Sequence, residues 1–238
     1  MIMPRTPQPS GLEKKPALFH GWVIVGVLFI VSLIDGGFTY TFSAFLRPLS
    51  EEFGWTRAET SVGFSLYLLA VGLVLPIWGW LVDHIGVRKV FLCSALLDGC
   101  ALLILSQVNT LRTFYLLYFV LGAGLAGIGP TTIGKVISQW FNIHRGRAMG
   151  LALVGTGLGG LTLVPLAGTI IQDFTWRLAY QSLAGLSLFV MFPLVWWLLA
   201  DSPSDKGLKP LGGEKPGPAE CSQKRAGATS WTLRAALK

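Results

Sequence analysis

The stretch GWLVDHIGVRK, from Gly79 to Lys89, decides the fold because it joins two long apolar blocks through a short charged turn. Gly79 carries no Cβ, so we expect a neighbouring helix to approach closely there. Gly86 permits a tight turn that a Cβ would hinder, and Asp83 can accept hydrogen bonds from a helix N-terminus. The stretch predicts a structured turn between two apolar helices, and the alternative is a simple basic surface turn.

Outward from this stretch, 52% of the 238 residues are apolar and 13% are charged, whereas a soluble domain carries about 25% charged residues. The apolar residues form six blocks of roughly the 20 residues that span a bilayer: about Gly21–Leu46, Ser61–Val82, Val90–Val108, Phe114–Phe141, Ala148–Ile171 and Leu178–Ala200. Backbone groups in lipid must be hydrogen-bonded within their own segment, so we expect helices. The predicted fold is an all-α membrane protein with six transmembrane helices.

Three regions are predicted from the same pattern. Residues 1–20 are expected to form a cytoplasmic N-terminal tail, and residues 21–200 the six-helix bundle. Residues 201–238 are rich in proline, glycine and charge, which predicts a disordered cytoplasmic linker. Ser230 is a suitable N-cap, so the last nine residues are interpreted as the start of a lead-in helix.

The net charge of +7 follows the predicted topology and does not indicate a nucleic-acid surface. With six spans both termini share one side, which carries, before the linker, Arg5, Lys14, Lys15, Arg88, Lys89, Lys135, Arg145 and Arg147. The opposite side holds Arg47, Arg57, Arg112 and Arg177. Because basic residues mark cytoplasmic loops, both termini are predicted to be cytoplasmic. The expected location is a multi-pass position in the plasma (inner) membrane, with no nucleic-acid partner.

A weak internal repeat relates two of the predicted helices. Phe53, Arg57 and Gly72 match Phe141, Arg145 and Gly160 at a spacing of 88, and Pro76, Gly79 and Arg88 match Pro165, Gly168 and Arg177 at 89. The two sets flank helices that run in opposite directions. Such a pattern is typical of the inverted three-plus-three repeat of transporter halves.

Gly79–Lys89 resembles the signature loop of the major facilitator superfamily, Gly-x-x-x-Asp-Arg-x-Gly-x-Arg-Lys, with His84 in place of the usual arginine. Phe45–Glu59 and Gln139–Gly160 resemble the branch of monocarboxylate transporters and oxalate:formate antiporters. The resemblance covers roughly residues 19–200 and implies the amino-terminal half of such a transporter.

In that family the loop latches two six-helix halves together on the cytoplasmic side. The resemblance therefore implies a latch formed by Gly79, Asp83, Gly86, Arg88 and Lys89. Asp83 would be the acceptor, and Arg88 its charged partner.

Ionisable residues within apolar helices are costly, so each is a functional candidate. Asp35 lies near the middle of the first block and is predicted to contact a proton, a cation or substrate, with a structural hydrogen bond as the alternative. The other residues assigned to the substrate or proton cavity are Thr39, Tyr40, Phe42, Thr131 and Thr156. Lys135 is expected to snorkel to the cytoplasmic surface. Pro130 and Pro165 are expected to open the backbone locally.

The implied function is secondary transport of a small organic anion such as a monocarboxylate by alternating access, coupled to protons or working by exchange. The expected partners are this anion, a proton, the lipid bilayer, and a second six-helix half or a homodimer partner. We expect a fragment that does not transport alone as a monomer. No enzyme activity, cofactor or metal is expected. The alternative is a truncated, non-transporting membrane protein that acts only as an assembly subunit.

Overall fold

The computed structural model describes residues 17–200, with side chains from His20 onward. The helices are α1 (Ala17–Phe53), α2 (Arg57–Ile85), α3 (Val87–Leu105), α4 (Leu111–Leu125), α5 (Pro130–Trp140), α6 (Arg145–Asp173), α7 (Trp176–Gly185) and α8 (Phe192–Leu198). A π-helical segment, Leu186–Met191, joins α7 to α8. The predicted linker and most of the predicted N-terminal tail lie outside the described residues.

Five helical stretches are long and apolar enough to cross a membrane: His20–Phe53, Arg57–Ile85, Leu111–Trp140, Arg145–Asp173 and Trp176–Leu198. The remaining predicted span forms α3, a helix of 19 residues. It differs from the five in charge rather than in apolar character, because its 19 residues include Arg88 and Lys89 in the first turn and Asp98 in the middle. The described part of the chain is thus a nearly all-helical integral membrane protein.

The turns at the ends of α2 follow from local sequence. Thr56 caps its start, because the backbone N–H of Thr56 donates to Glu59 at 2.8 Å and the Glu59 N–H donates back to the Thr56 hydroxyl at 3.2 Å. This reciprocal pair is the capping box. At the other end Gly86 has φ 90°, a value that side-chain-bearing residues rarely adopt. The tight turn predicted at Gly86 is confirmed.

The fourth predicted span is interrupted. It consists of α4 and α5, separated by the turn residues 126–129. Pro130 occupies the first position of α5, where its missing N–H is tolerated. The amino-terminal turn of α5 therefore lies inside the apolar part of the chain, between Leu111 and Trp140.

The closest helix pair is α1 with α6, which meet through glycines. A Cβ added to Gly155 would lie 2.3 Å from the Phe29 carbonyl oxygen, and one added to Gly159 would lie 1.9 Å from that of Leu33. Because no side chain separates them, the two backbones are in direct contact.

Candidate functional site

The residues predicted to line one cavity are distributed over three of the cavities in the structure. Thr39 and Phe42 line a narrow aromatic pocket between α1, α2, α3, α4 and α7. Tyr40 lines an open groove between α1 and α6. Thr131 lines a third cavity between α2 and α5, together with Gly79 and Asp83 of the predicted latch.

The aromatic pocket is closed by its own side chains. Phe42 stacks on Phe64 with ring centroids 4.8 Å apart, and the Thr39 hydroxyl is 2.8 Å from the Tyr67 hydroxyl. The buried hydroxyls of Tyr118 and Tyr180 are also 2.8 Å apart. The remaining volume is about 10 Å³, which is the space of about one water molecule. In this conformation the pocket has no room for a substrate.

Tyr40 lies at the surface of the bundle. Its side chain is 52% exposed and lies against Gly160 of α6, where an added Cβ would be 2.7 Å from the tyrosine ring. The groove around it has a volume of about 580 Å³ and includes Ser43 and Pro165. Its size would admit a small molecule, but it is open along the side of the helices.

Asp35 and Thr156 are not among the residues that line these three cavities. Asp35 is half-buried on α1, and its backbone carbonyl accepts a hydrogen bond from the Thr39 hydroxyl at 3.2 Å. The backbone of Thr156 packs on Gly36, where an added Cβ would lie 2.2 Å from the Thr156 carbonyl oxygen. Thr156 thus belongs to the α1–α6 crossing, whereas the Asp35 carboxylate is close enough to Tyr67 of α2 and Asp98 of α3 to interact electrostatically with both.

The cavity between α2 and α5, which we call the α2–α5 cavity, has a volume of about 250 Å³. Its α2 wall is mainly apolar and includes Leu75, Trp78 and Val82. Its α5 wall is polar and consists of Thr131, Thr132 and Lys135. The Trp78 indole N–H donates to the Ala123 carbonyl at 2.6 Å, so its polar group is already satisfied and its ring acts as an apolar surface.

An ion pair between Asp83 and Lys135 spans this cavity. The resemblance implied Arg88 as the partner of Asp83, whereas within the described residues Asp83 pairs with Lys135. Arg88 begins α3 and reaches α8 instead, where it donates to the Trp196 carbonyl and lies 5.4 Å from the ring centroid of that residue. Sequence spacing could not indicate this, because α5 approaches α2 only in the folded chain.

The structure also places Lys89 and Gly79 of the latch motif. Lys89 is exposed, next to Arg88 in the first turn of α3. Gly79 is exposed, and no described heavy atom lies within 4 Å of a Cβ added there. The close helix approach expected at Gly79 is therefore absent among the described residues, and the glycine lines the α2–α5 cavity instead.

Lys135 is the residue whose role the sequence reasoning missed. It was expected only to extend to the membrane surface, yet its ammonium lines a cavity and pairs with Asp83. A signal was present, because Lys135 follows Thr131 by four residues and such residues lie on one helix face. Since Thr131 was assigned to a cavity, its neighbour on that face belonged there too.

Comparison with known proteins identifies the class of this fold. Residues 28–237 match the family described as the Major Facilitator Superfamily. The chain belongs to this superfamily of membrane transporters.

The similar curated proteins include several monocarboxylate transporters. Human monocarboxylate transporter 1 is 34% identical over 174 residues, which are 71% of this chain and 34% of the relative. Rat monocarboxylate transporter 4 is 31% identical over 219 residues, 88% of this chain and 45% of the relative. An uncharacterised MFS-type transporter of Bacillus subtilis, YcxA, is 26% identical over 175 residues, 73% of this chain and 43% of the relative. The chain thus spans less than half the length of these relatives.

Proposed function

We propose that this chain forms the amino-terminal, six-helix half of a secondary active transporter for a small organic anion of the monocarboxylate kind. Superfamily membership and the relatives named as monocarboxylate transporters support this proposal. Transport would occur by alternating access, with the halves rocking as rigid bodies around a site between them. Proton coupling and anion exchange are the two modes that the proposal includes.

The observation that carries the half-transporter proposal is the unequal burial of the helices. The most apolar stretches of α1 and of α4–α5 are each 61% buried, whereas those of α2 and α6 are 17% and 22% buried. Tyr40 beside α6 and Thr131 beside α2 are exposed, and neither hydroxyl bonds to another described residue. Unpaired hydroxyls are unfavourable in hydrocarbon. A second six-helix half, or a second copy of this one, would cover this surface.

The cavity residues receive roles in the same proposal. Asp35, on the face of α1 toward Tyr67 and Asp98, would take up a proton, a cation or part of the substrate during transport. Thr39, Tyr40, Phe42, Thr131 and Thr156 would face the substrate or proton pathway. Because the aromatic pocket holds only about 10 Å³, the hydroxyl contacts of Thr39 with Tyr67 and of Tyr118 with Tyr180 would break when it opens.

The latch is proposed to act between the two halves. Gly86 shapes the turn, and Arg88 fixes the start of α3 to α8. Asp83 is 68% exposed even while paired with Lys135, so its carboxylate remains accessible to a helix of the second half. Gly79 leaves space beside it, and Lys89 holds the turn at the anionic membrane surface.

We further propose that α3 is the sixth span, with residues 21–200 as the membrane bundle and both termini cytoplasmic in the plasma membrane. The inverted three-plus-three repeat is part of this proposal. Arg88, Lys89, Lys135, Arg145 and Arg147 lie toward one end of the helices, and basic residues favour the cytoplasmic side.

Cysteine labelling tests the topology. In a variant with Cys93, Cys100 and Cys221 replaced by serine, Glu52→Cys should react with an impermeant maleimide in sealed cells. Arg147→Cys, near the basic end, should react only after permeabilisation. Reaction of Glu52→Cys only after permeabilisation would reverse the proposed orientation.

Reconstitution into liposomes tests the transport proposal. The purified chain should take up a labelled monocarboxylate only when a carboxy-terminal half is co-expressed with it, or when cross-linking detects a homodimer. Saturable uptake by a chain that cross-links only as a monomer would contradict the half-transporter proposal. Stable assembly with a second half but no uptake of any organic anion would favour the assembly-subunit alternative.

A further inference from the structure

The α2–α5 cavity combines features of an anion site that the superfamily assignment does not specify. Its polar wall starts at the first turn of α5, a helix of 11 residues, and a helix N-terminus attracts negative charge. Thr132 lines the cavity with 5% of its surface exposed, and its hydroxyl makes no hydrogen bond to another described residue. Because Thr132 lines the cavity, its hydroxyl is available to donate a hydrogen bond to a ligand there.

Lys135 adds one full positive charge to this wall. Among the side chains that line the cavity it is the cationic one, and Asp83 is the anionic one that neutralises it. The Asp83 side chain is 68% exposed. Because exposed ion pairs are weak, a carboxylate entering the cavity can replace Asp83 at the ammonium without a large penalty.

The opposite wall selects the rest of the ligand. Leu75, Trp78 and Val82 offer apolar surface across the cavity from the cationic group. Sites with an apolar body and a few convergent polar groups hold small amphiphilic molecules. A volume of about 250 Å³ accommodates a short carbon chain. A second carboxylate would meet no second cation among these lining residues.

We propose that the α2–α5 cavity binds a monocarboxylate, with its carboxylate on Lys135 and Thr132 and its apolar body against Leu75 and Val82. This assignment rests on the proposed function of organic-anion transport. Binding displaces Asp83 from Lys135. Occupancy of the cavity thereby releases the carboxylate of the latch motif, which links the arrival of the anion to the contact between the two halves.

Lysine protection tests the site on the unmodified chain. The purified protein is treated with an amine-acetylating reagent in the presence of butyrate, of succinate or of neither, and the modification of each lysine is followed by mass spectrometry. Butyrate should slow acetylation of Lys135 but not of Lys89, which is exposed outside the cavity. Succinate should protect Lys135 much less than butyrate does, because its second carboxylate would meet no second cation among the lining residues. Equal protection by both anions, or no protection of Lys135, overturns the proposal.

Substitutions test the competition through labelled butyrate binding. Lys135→Gln should weaken binding by about tenfold or more, because it removes a charge-assisted hydrogen bond. Asp83→Asn should strengthen binding by about two- to fivefold, because it removes a weak competing ion pair. Arg147→Gln, a change at an exposed cation outside the cavity, should leave binding unchanged. Weaker binding in Asp83→Asn overturns the proposal, since a merely structural ion pair would weaken binding from either side.

Further measurements distinguish the loss of this site from misfolding of a variant and from failure of the proposed function. Lys135→Arg keeps the charge, so it should retain most of the binding that Lys135→Gln loses, with both variants checked by gel filtration. If Lys135→Gln does not fold, the proposal is tested by the protection of Lys135 from acetylation in the unmodified chain and by butyrate binding to the Asp83→Asn variant. Butyrate binding that requires Lys135 supports the site even where liposome uptake fails. Monocarboxylate uptake without Lys135 protection overturns the site and leaves the proposed function standing.

Discussion

The two sides of the bundle are held together in opposite ways. On one side α1 crosses α6 with backbone against backbone, so that a Cβ on Gly159 would lie 1.9 Å from the Leu33 carbonyl oxygen. On the other side α2 and α5 are separated by a cavity of about 250 Å³. The ion pair between Asp83 and Lys135 spans that cavity.

This difference shows which part of the bundle can move at low cost. Separating α1 from α6 would break an extended glycine-mediated contact and leave backbone surfaces without partners. Widening the gap between α2 and α5 breaks an exposed ion pair worth about 0–1 kcal/mol, while α2 stays packed on α4, where a Cβ on Gly122 would lie 2.3 Å from the Tyr67 carbonyl oxygen. We infer that α1 and α6 move as one rigid unit and that the α2–α5 cavity is the adjustable region.

Gly159→Ala should produce the largest effect of the variants proposed here, a loss of thermal stability, because it disrupts the α1–α6 crossing. The added methyl group would overlap the Leu33 carbonyl, and overpacking of this kind costs about 1–3 kcal/mol. At roughly 2–4 °C per kcal/mol for a chain of this size, the melting temperature should fall by about 2–12 °C. Thermal unfolding of the purified protein, followed by circular dichroism, measures it.

The matched control lies two residues away on the same helix. No described heavy atom lies within 4 Å of a Cβ added to Gly157, and alanine has the higher helix propensity. Gly157→Ala should therefore leave the melting temperature unchanged or slightly raised. An equal loss in both variants would mean that the α1–α6 crossing is not the close contact described here.

Asp35→Asn addresses the half-buried ionisable residue of α1. If Asp35 takes up a proton during transport, uptake by the assembled transporter should lose most of its pH dependence in this variant. Asn keeps the size of the side chain but cannot titrate. The measurement is labelled-anion uptake into liposomes over a range of external pH.

Asp173→Asn serves as the control for Asp35. Asp173 is exposed at the end of α6, so its neutralisation should keep the pH profile of the unmodified protein. A folded Asp35→Asn variant with an unaltered profile would assign Asp35 a purely structural role.

The helices were predictable from the sequence because apolar length is a local property. Each of the six predicted blocks lies largely within one helix or one consecutive set of helical segments. The prolines were harder to interpret. Pro130 follows a run containing Gly122, Gly124, Gly127 and Gly129, and the helix breaks before it, whereas α6 continues through Pro165. Glycines precede Pro165 as well, at Gly155, Gly157, Gly159 and Gly160, so glycine content does not distinguish the two prolines.

The candidate site was predictable only in part, because its contacts join distant segments. Asp83 and Arg88 were paired within one motif, yet the partner of Asp83 is 52 residues away on α5. Thr39 and Tyr40 are adjacent in sequence but line different cavities, since consecutive residues on a helix point in different directions. Spacing on one helix predicts a shared face, and it does not predict which helix packs there.

A cysteine in place of Thr131 can measure the opening of the α2–α5 cavity, in a variant from which the native cysteines have been removed. Asp83→Asn removes the ion pair across the α2–α5 cavity, so the cavity should open more often. An ion pair worth up to about 1 kcal/mol shifts such an equilibrium by at most about fivefold, and maleimide labelling of Thr131→Cys should accelerate within that limit.

The control measures maleimide labelling beside the α1–α6 crossing. Ser43→Cys, in the groove between α1 and α6, should label at the same rate with and without Asp83→Asn. A parallel increase at both positions would show that the whole bundle loosens, and the contrast between a rigid and an adjustable side would not hold.

The smallest expected effect is the coupling free energy between Asp83 and Lys135. A double-mutant cycle with Asp83→Asn, Lys135→Gln and the combined variant isolates this pairwise contribution to the free energy of unfolding. The two side chains are 68% and 32% exposed, so the coupling should be about 0.5–1 kcal/mol. The exposed pair Arg47–Glu51, one helical turn apart on α1, provides a reference of about 0.3–0.5 kcal/mol. If the coupling between Asp83 and Lys135 exceeded about 3 kcal/mol, the lower end of the cost of breaking a buried pair, this ion pair would hold α2 and α5 firmly together. The α2–α5 side would then be as rigid as the α1–α6 crossing, and a carboxylate could not displace Asp83 at the affinity of a transported substrate.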